Sequence, residues 1–360
     1  MKKEQRRSSI ELLRILAACM VVISHLSALL LNPKTGILPP KNNTLITILL
    51  SCSVCAVDVF IVISGFFLWN SKKRTIGKAI NLLVLMAVIN MSSYFVQLLA
   101  GSLSFSLTKL LHYCFAPSYF VTLYIVLYLI SPYINIILNK LTPKGWSKFF
   151  IFIFVIFSIY GIAADVVSEF TPVLGISPFS RTGSQNGYNI VTFVLLYCMG
   201  AFLNARRLWI EKISSKLITI VMILCILAIW GWSTIGPSLP NYANSARSYH
   251  NPFVILMAMS LLVLFNRMSF SSRIINCFAK AAFTVYLIHP HFFTFLHVGF
   301  HMMMPPVLFM LWMLSSIVLI YIVSWLFWIL YDFVTRSVYK RMDKIAIPYG
   351  FDDVEKVSHE

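Results

Sequence analysis

Ten stretches of this chain are apolar for long enough to cross the ~30 Å hydrocarbon core of a bilayer, and that leaves little freedom in the fold. They lie near residues 11–31, 45–69, 79–100, 119–138, 148–167, 188–204, 215–235, 252–267, 277–298 and 306–331, the sixth and eighth being short. In hydrocarbon every backbone N–H and C=O must be bonded within the protein, so spanning segments of this kind are helices. Charged residues make up 11% of the 360 positions against 59% hydrophobic, less than half of the ~25% charge carried by a soluble domain. The expected fold is all-α: a polytopic integral membrane protein of about ten transmembrane helices. Residues 1–344 are expected to form a single transmembrane domain and residues 345–360 a short cytoplasmic tail.

The net charge of +17 raises the question of nucleic acid, but the basic residues recur in short clusters between apolar runs. With the N-terminus placed in the cytoplasm, 23 of the 29 Lys and Arg fall in alternate connections and five (Lys34, Lys41, Lys109, Arg181, Arg247) in the others, leaving Arg14 inside a helix. That alternation is the positive-inside pattern of a multi-pass protein with both termini cytoplasmic. The basic segment KKEQRR precedes an apolar run that contains Arg14 and His25 and exceeds a signal-peptide core in length, so the first helix is expected to be retained. The connections 168–187 and 236–251 are expected outside and mix Ser, Asn, Gly and Pro with aromatics. Sugar-binding loops have this composition, and so do ordinary ones.

Polar groups inside the apolar segments are the candidates for chemistry, because such residues are costly in a bilayer and mark functional sites. Arg14 and His25 lie eleven residues apart, which at ~100° per residue leaves them about 20° apart on one helix face and ~16 Å apart along the axis. Asp58 lies eleven residues before Trp69 on the second, antiparallel segment, so it is expected at the depth of His25. His289 lies nine residues past Lys280 at a similar depth, where Pro290 removes a helical donor. Either group could support His25 as a general base. Glu11 is placed to orient Arg14, and Gly65, beside Ser64, permits a close approach by another backbone or a ligand. His289, His291, His297 and His301 lack a compact metal-ligand spacing with a carboxylate, and the Cys52–Cys55 pair has no second pair; no metal is expected.

Four motifs, in order, resemble the membrane-bound acyltransferase family 3. ELLRILAACMVVISH carries the family's Arg-x10-His as Arg14 and His25. VDVFIVISGFF resembles its second-helix signature, FTVYLIHP a signature near its end, and YFVTLYIVLYLISPYIN a segment that members commonly begin with Trp, where Tyr119 stands here. The family's Arg-x-x-Arg entering the third helix is replaced by Arg74 and Lys78, one residue too far apart. The likeness covers about residues 9–335. It implies transfer of an acyl group, usually acetyl from acetyl-CoA, to a hydroxyl of an extracytoplasmic polysaccharide or glycolipid in the cell envelope, by a multi-pass protein of the bacterial cytoplasmic membrane. It also implies a catalytic role for His25 and an acyl-CoA role for Arg14. Some members carry an appended esterase-like domain; none is expected here, and the chain is expected to finish the transfer itself or hand the acyl group to a separate protein.

The expected mechanism has acetyl-CoA as co-substrate, with no tightly bound cofactor and no nucleic-acid partner. Arg14 would hold its phosphates with help from Lys72, Lys73, Arg74 or Lys78. His25, supported by Asp58 or His289, would take the acceptor's proton; an acyl-histidine intermediate is the other route. The alternative class is a transporter or flippase of a glycolipid or other anionic envelope precursor, which would use the same basic mouth and buried polar groups.

Overall fold

The computed structural model describes residues 7–32, 34–71, 73–170, 175–180, 183–235 and 244–349. It is helical throughout these residues, with no strand and one isolated bridge between Thr75 and Ala346. In chain order the main helices are α1 (Ser8–Leu30), α2 (Pro40–Ser53), α3 (Ala56–Leu68), α4 (Ile76–Leu99), α5 (Leu107–Phe115), α6 (Tyr119–Asn139), α7 (Pro143–Phe154) and α8 (Gly161–Phe170). There follow α9 (Ile190–Ala205), α10 (Ser215–Ile235), α11 (Pro252–Arg267), α12 (Arg273–Phe278), α13 (Ala282–Phe292) and α14 (Pro306–Met342).

Seven continuous or nearly continuous helices among the described residues are long and apolar enough to cross a membrane. α9 and α11 are apolar but shorter, and the ninth expected segment is divided into α12, a 3-10 turn and α13. All ten apolar segments are thus helical, while seven of them have a spanning length in one piece. The irregularities have local causes. Between α2 and α3 the chain turns at Val54 and Cys55, where the Ser53 hydroxyl bonds back to the carbonyls of Leu49 and Leu50 at 2.7 and 3.2 Å, a pattern that bends helices. Between α7 and α8 the helix widens into a π-turn over Val155–Tyr160. In α13, Pro290 lies within the helix and a 3-10 turn follows at Phe293–Phe295.

The chain divides into two compact units, Met1–Phe67 with Pro143–Ile329, and Leu68–Thr142 with Leu330–Glu360. In the first unit, α1 packs against α2, α11, α12 and α13. Ala18 and Val22 of α1 bury against Ala282 and Val285 of α13 and Ile317 and Ile320 of α14. Further along, Leu26 and Leu30 pack with Ile46, Val298, Met302, Phe309 and Met313. Near the start of α1, the Ser8 hydroxyl accepts from the Ser272 amide at 2.9 Å and donates to Asn276 Oδ1 at 3.0 Å.

α3 and α9 cross in this unit at two glycines. A Cβ on Gly65 would stand 2.0 Å from the carbonyl oxygen of Tyr197, and one on Gly200 would stand 2.1 Å from that of Val62. Each helix therefore occupies the space where the other's side chain would be, as small residues permit in membrane bundles. Asn204 reinforces the crossing by donating to the Phe66 carbonyl at 2.7 Å. The close approach expected of Gly65 is made by a neighbouring backbone.

In the second unit, buried Arg74 organises the turn into α4. Its Nε and Nη2 donate to Ser131 Oγ at 3.0 and 2.8 Å, and its Nη1 to the carbonyls of Ser71 and Lys73, each at 3.0 Å. Nη2 also donates to the Leu68 carbonyl at 3.4 Å, and the guanidinium lies 5.4 Å from the Tyr128 ring centre. Asn135 donates to the Leu68 and Ser71 carbonyls at 2.8 and 2.9 Å.

Gly65→Ala and Gly200→Ala are each expected to destabilise the protein by at least the ~1–3 kcal/mol typical of overpacking, because the obstructing atoms are backbone. Thermal unfolding in detergent checks this. Unchanged midpoints would mean that the helices part without cost.

Candidate active site

His25 projects from α1 into a cavity of about 200 Å³ that lies wholly within the first unit. The helix wall comes from Val21, Ser24, His25 and Ala28 of α1, Leu50 of α2, Val54 of the turn and Ala56 and Val57 of α3. The break between α2 and α3 therefore forms one side of the chamber. The other side comes from the connections before α9 and α11, through Asn186, Tyr188, Asn244, Arg247 and Tyr249. No carboxylate is among the lining residues. His25 is exposed, and Ser24 beside it donates to Ser53 Oγ at 2.9 Å.

The imidazole of His289 stands against that of His25, ring centres 4.9 Å apart and planes inclined at 49°. His289 is buried, with its Nδ1 3.2 Å from the Val285 carbonyl oxygen. A carbonyl only accepts, so Nδ1 carries the hydrogen and Nε2 is left as the lone-pair nitrogen of the neutral ring. Nε2 is buried and has no hydrogen-bond partner. An acceptor without a partner beside the exposed histidine can receive its proton or hold its tautomer.

Asp58 is also fully buried, but neither of its carboxylate oxygens has a hydrogen-bond partner and it does not line the cavity, although Val57 does. His289, not Asp58, is the group brought against His25. At the other end of the stripe, Arg14 Nη1 bonds Glu11 Oε1 at 2.8 Å, with Glu11 buried and Arg14 half-exposed. The glutamate therefore orients the arginine and leaves other donors of its guanidinium available. Ser64 bonds back to the Phe60 carbonyl at 2.9 Å.

The remaining basic candidates belong to the second unit. Lys72 lies outside the described residues. Lys73 is exposed, and the Lys78 ammonium lies over the Tyr128 and Tyr124 rings at 4.7 and 5.7 Å. Every N–H of Arg74 is directed to a partner within the protein, leaving none for a phosphate. Tyr119 is the first residue of α6 and is half-buried.

Two further polar residues, neither indicated by the sequence, hold the loops of the chamber. Asp165 of α8 accepts from the Ser184 amide at 3.1 Å and from the Ser184 hydroxyl, and its other face lies 3.2 Å from His250 Nε2. The His250 carbonyl in turn accepts from Ser158 Oγ at 2.7 Å. The π-turn carries Ser158, and the glycine that follows it, Gly161, has room for no side chain against Phe179 and His250. Tyr249 then donates its amide to the Asn186 carbonyl at 3.1 Å, joining the two loops. Gln185, Asn186 and Gly187 hold φ of 53°, 58° and 81°, a left-handed run that costs non-glycine residues free energy and recurs at binding sites. The polar and aromatic composition of both loops was the only signal of this part; Asp165 has no spacing motif to mark it.

A bundle of apolar helices in which an exposed histidine lines a polar-walled cavity, with a second imidazole against it, defines a membrane protein with a candidate site for proton or group transfer. The model of acyltransferase family 3, described as an acyltransferase domain, matches residues 7–329, and the chain belongs to that family. It is a multi-pass membrane acyltransferase. Comparison with curated proteins and with solved structures gave no match.

Asp165→Ala removes the acceptor of both Ser184 donors and the carboxylate beside His250, and is expected to cost ~1–3 kcal/mol, the penalty for stranding buried donors. A lower thermal midpoint and faster proteolytic cleavage within residues 183–189 would register the loss; unchanged values would show that the loops are held by other contacts.

Proposed function

We propose that the protein transfers an acyl group, acetyl being the simplest, from acyl-CoA to a hydroxyl of an extracytoplasmic polysaccharide or glycolipid, with His25 as the general base. The observation that carries this reading is the exposure of His25 to a chamber of sugar-ring scale while a second imidazole supports it from behind. About 200 Å³ is room for six or seven waters at ~30 Å³ each, enough for one ring of a glycan and too little for a polymer.

In the reaction the acceptor O–H gives its proton to the ring nitrogen of His25. The oxygen attacks the thioester carbonyl, the new C–O bond forms, the C–S bond breaks, and the CoA thiolate leaves and takes up a proton. His289 acts as the positioning partner: its imidazole packs against that of His25, and its Nε2, unbonded among the described residues, is the acceptor that a His25 N–H would meet once the ring turns, leaving the other nitrogen for the cavity. Arg14, about three helical turns from His25, is assigned to the CoA phosphates, which charge-assisted Arg bonds suit. The alternation of basic residues along the sequence supports this division: with the N-terminus cytoplasmic, Arg14 would lie near the cytoplasm and the loop-lined end of the cavity on the opposite side.

His25→Ala is expected to lower acetyl transfer to a glycan by 10²-fold or more, within the ~10²–10⁴ attributed to general-base catalysis, in a protein that still purifies folded. Transfer at the wild-type rate would remove His25 from the chemistry. The measurement is free CoA released from acetyl-CoA, with O-acetyl groups on the acceptor detected by mass spectrometry. Arg14→Ala is expected to weaken acetyl-CoA binding about tenfold, near the ~1.5–3 kcal/mol of a hydrogen bond to a charged group; an unchanged affinity would place the donor elsewhere. Glycolipid movement without CoA release would favour a transporter.

A further inference from the structure

Arg247 is the one lysine or arginine among the residues that line the cavity. Its Nε donates to Ser233 Oγ at 3.2 Å, and no ion pair joins it to a carboxylate among the described residues. The side chain is half-buried, and burial holds its guanidinium below the ordinary value. An arginine that is partly desolvated stays in place only if the fold or a ligand offsets the cost.

The fold puts the residue there deliberately. Asn244 accepts the Arg247 amide at 3.0 Å, and Asn251 donates to the Ser245 carbonyl at 3.1 Å, fixing the turn on either side. The neighbouring Tyr249 and His250 are tied to Asn186 and Asp165. The guanidinium therefore sits on a preorganised frame in the same cavity as His25, and among the described residues only its Nε is bonded. Asn186, Tyr188, Asn244 and Tyr249 around it offer neutral hydrogen-bonding groups and aromatic faces for sugar hydroxyls and ring edges.

We propose that Arg247 binds an anionic group on the acceptor, a carboxylate or a phosphate, and that the cavity therefore selects an acidic sugar over a neutral one. The planar fork of arginine matches either anion through two parallel N–H bonds. Held at that point, the anion fixes the sugar in the chamber and presents one hydroxyl to His25. This inference rests on the acyl-transfer reading and names the class of its acceptor.

The test uses the full-length purified protein and three small probes: methyl glucuronide, methyl glucoside and glucose 6-phosphate, titrated by calorimetry. One of the anionic probes is expected to bind about tenfold or more tightly than the glucoside, on the scale of a charge-assisted bond. Arg247→Gln should reduce it to the level of the glucoside, while Arg247→Lys retains part of the preference. Whether glucuronide or phosphate gains identifies the anion. Equal binding of all three probes, or a preference that survives in Arg247→Gln, overturns the proposal. So does a loss of CoA affinity in Arg247→Gln, which would assign the arginine to the donor. CoA release by the wild-type protein separates two failures. Release without an anion preference overturns this inference alone; no release overturns the acyl-transfer reading beneath it.

Discussion

The approach of α1 to α13 is the contact on which the site depends. Ala18 and Val22 on one helix and Ala282 and Val285 on the other are small or β-branched and fully or nearly fully buried, so the two backbones come close. His25 continues the first stripe three residues on, and His289 continues the second four residues on. The two imidazoles meet because the preceding turns already have. Contacts at Ser8 with Asn276, at His25 with His289, and at Leu30 in one cluster with Met302 advance together along both segments. The helices therefore run in the same direction, as alternation of the first and ninth segments requires.

The loops on the far side solve a different problem. Connections over a bundle end have few apolar contacts, and here polar bonds hold them instead. One carboxylate, Asp165, takes both donors of Ser184 and faces His250, so two connections distant in sequence share an anchor. The left-handed residues at 185–187 are held against their preference by these bonds. The result is a wall of tied loops beside a histidine carried on a helix.

Much of this was legible in the sequence, for a physical reason. Hydrophobic length and basic spacing report burial in hydrocarbon directly, so the ten helical segments were readable, and a helical repeat of eleven put Arg14 and His25 on one face. The same rules give depth but not the direction in which a side chain faces around its helix. Asp58 and His289 were both at the depth of His25, and only His289 turns toward it. The turn at Val54 and Cys55 resets the helical phase just before Asp58, which no periodicity in the sequence records. The loop residues were visible only as a composition, because Asp165, Arg247 and His250 act through tertiary bonds. Arg74 is the clearest case of identity without context: a basic residue at a basic turn, whose donors the neighbouring carbonyls and Ser131 consume.

The crossing of Gly65 with Gly200 also fixes an order of events in biosynthesis. A chain emerges from the ribosome N-terminus first, so α3 enters the membrane long before α9 exists to fill the groove that its glycine leaves. Until then α3 lacks the helix it crosses and the loop side of the chamber is missing, and His25 has no imidazole of His289 beside it until α13 arrives. The helix that carries His25 is among the first parts made, and the chamber around it is among the last completed. Partly synthesised chains thus carry His25 without the walls that enclose it in the finished fold.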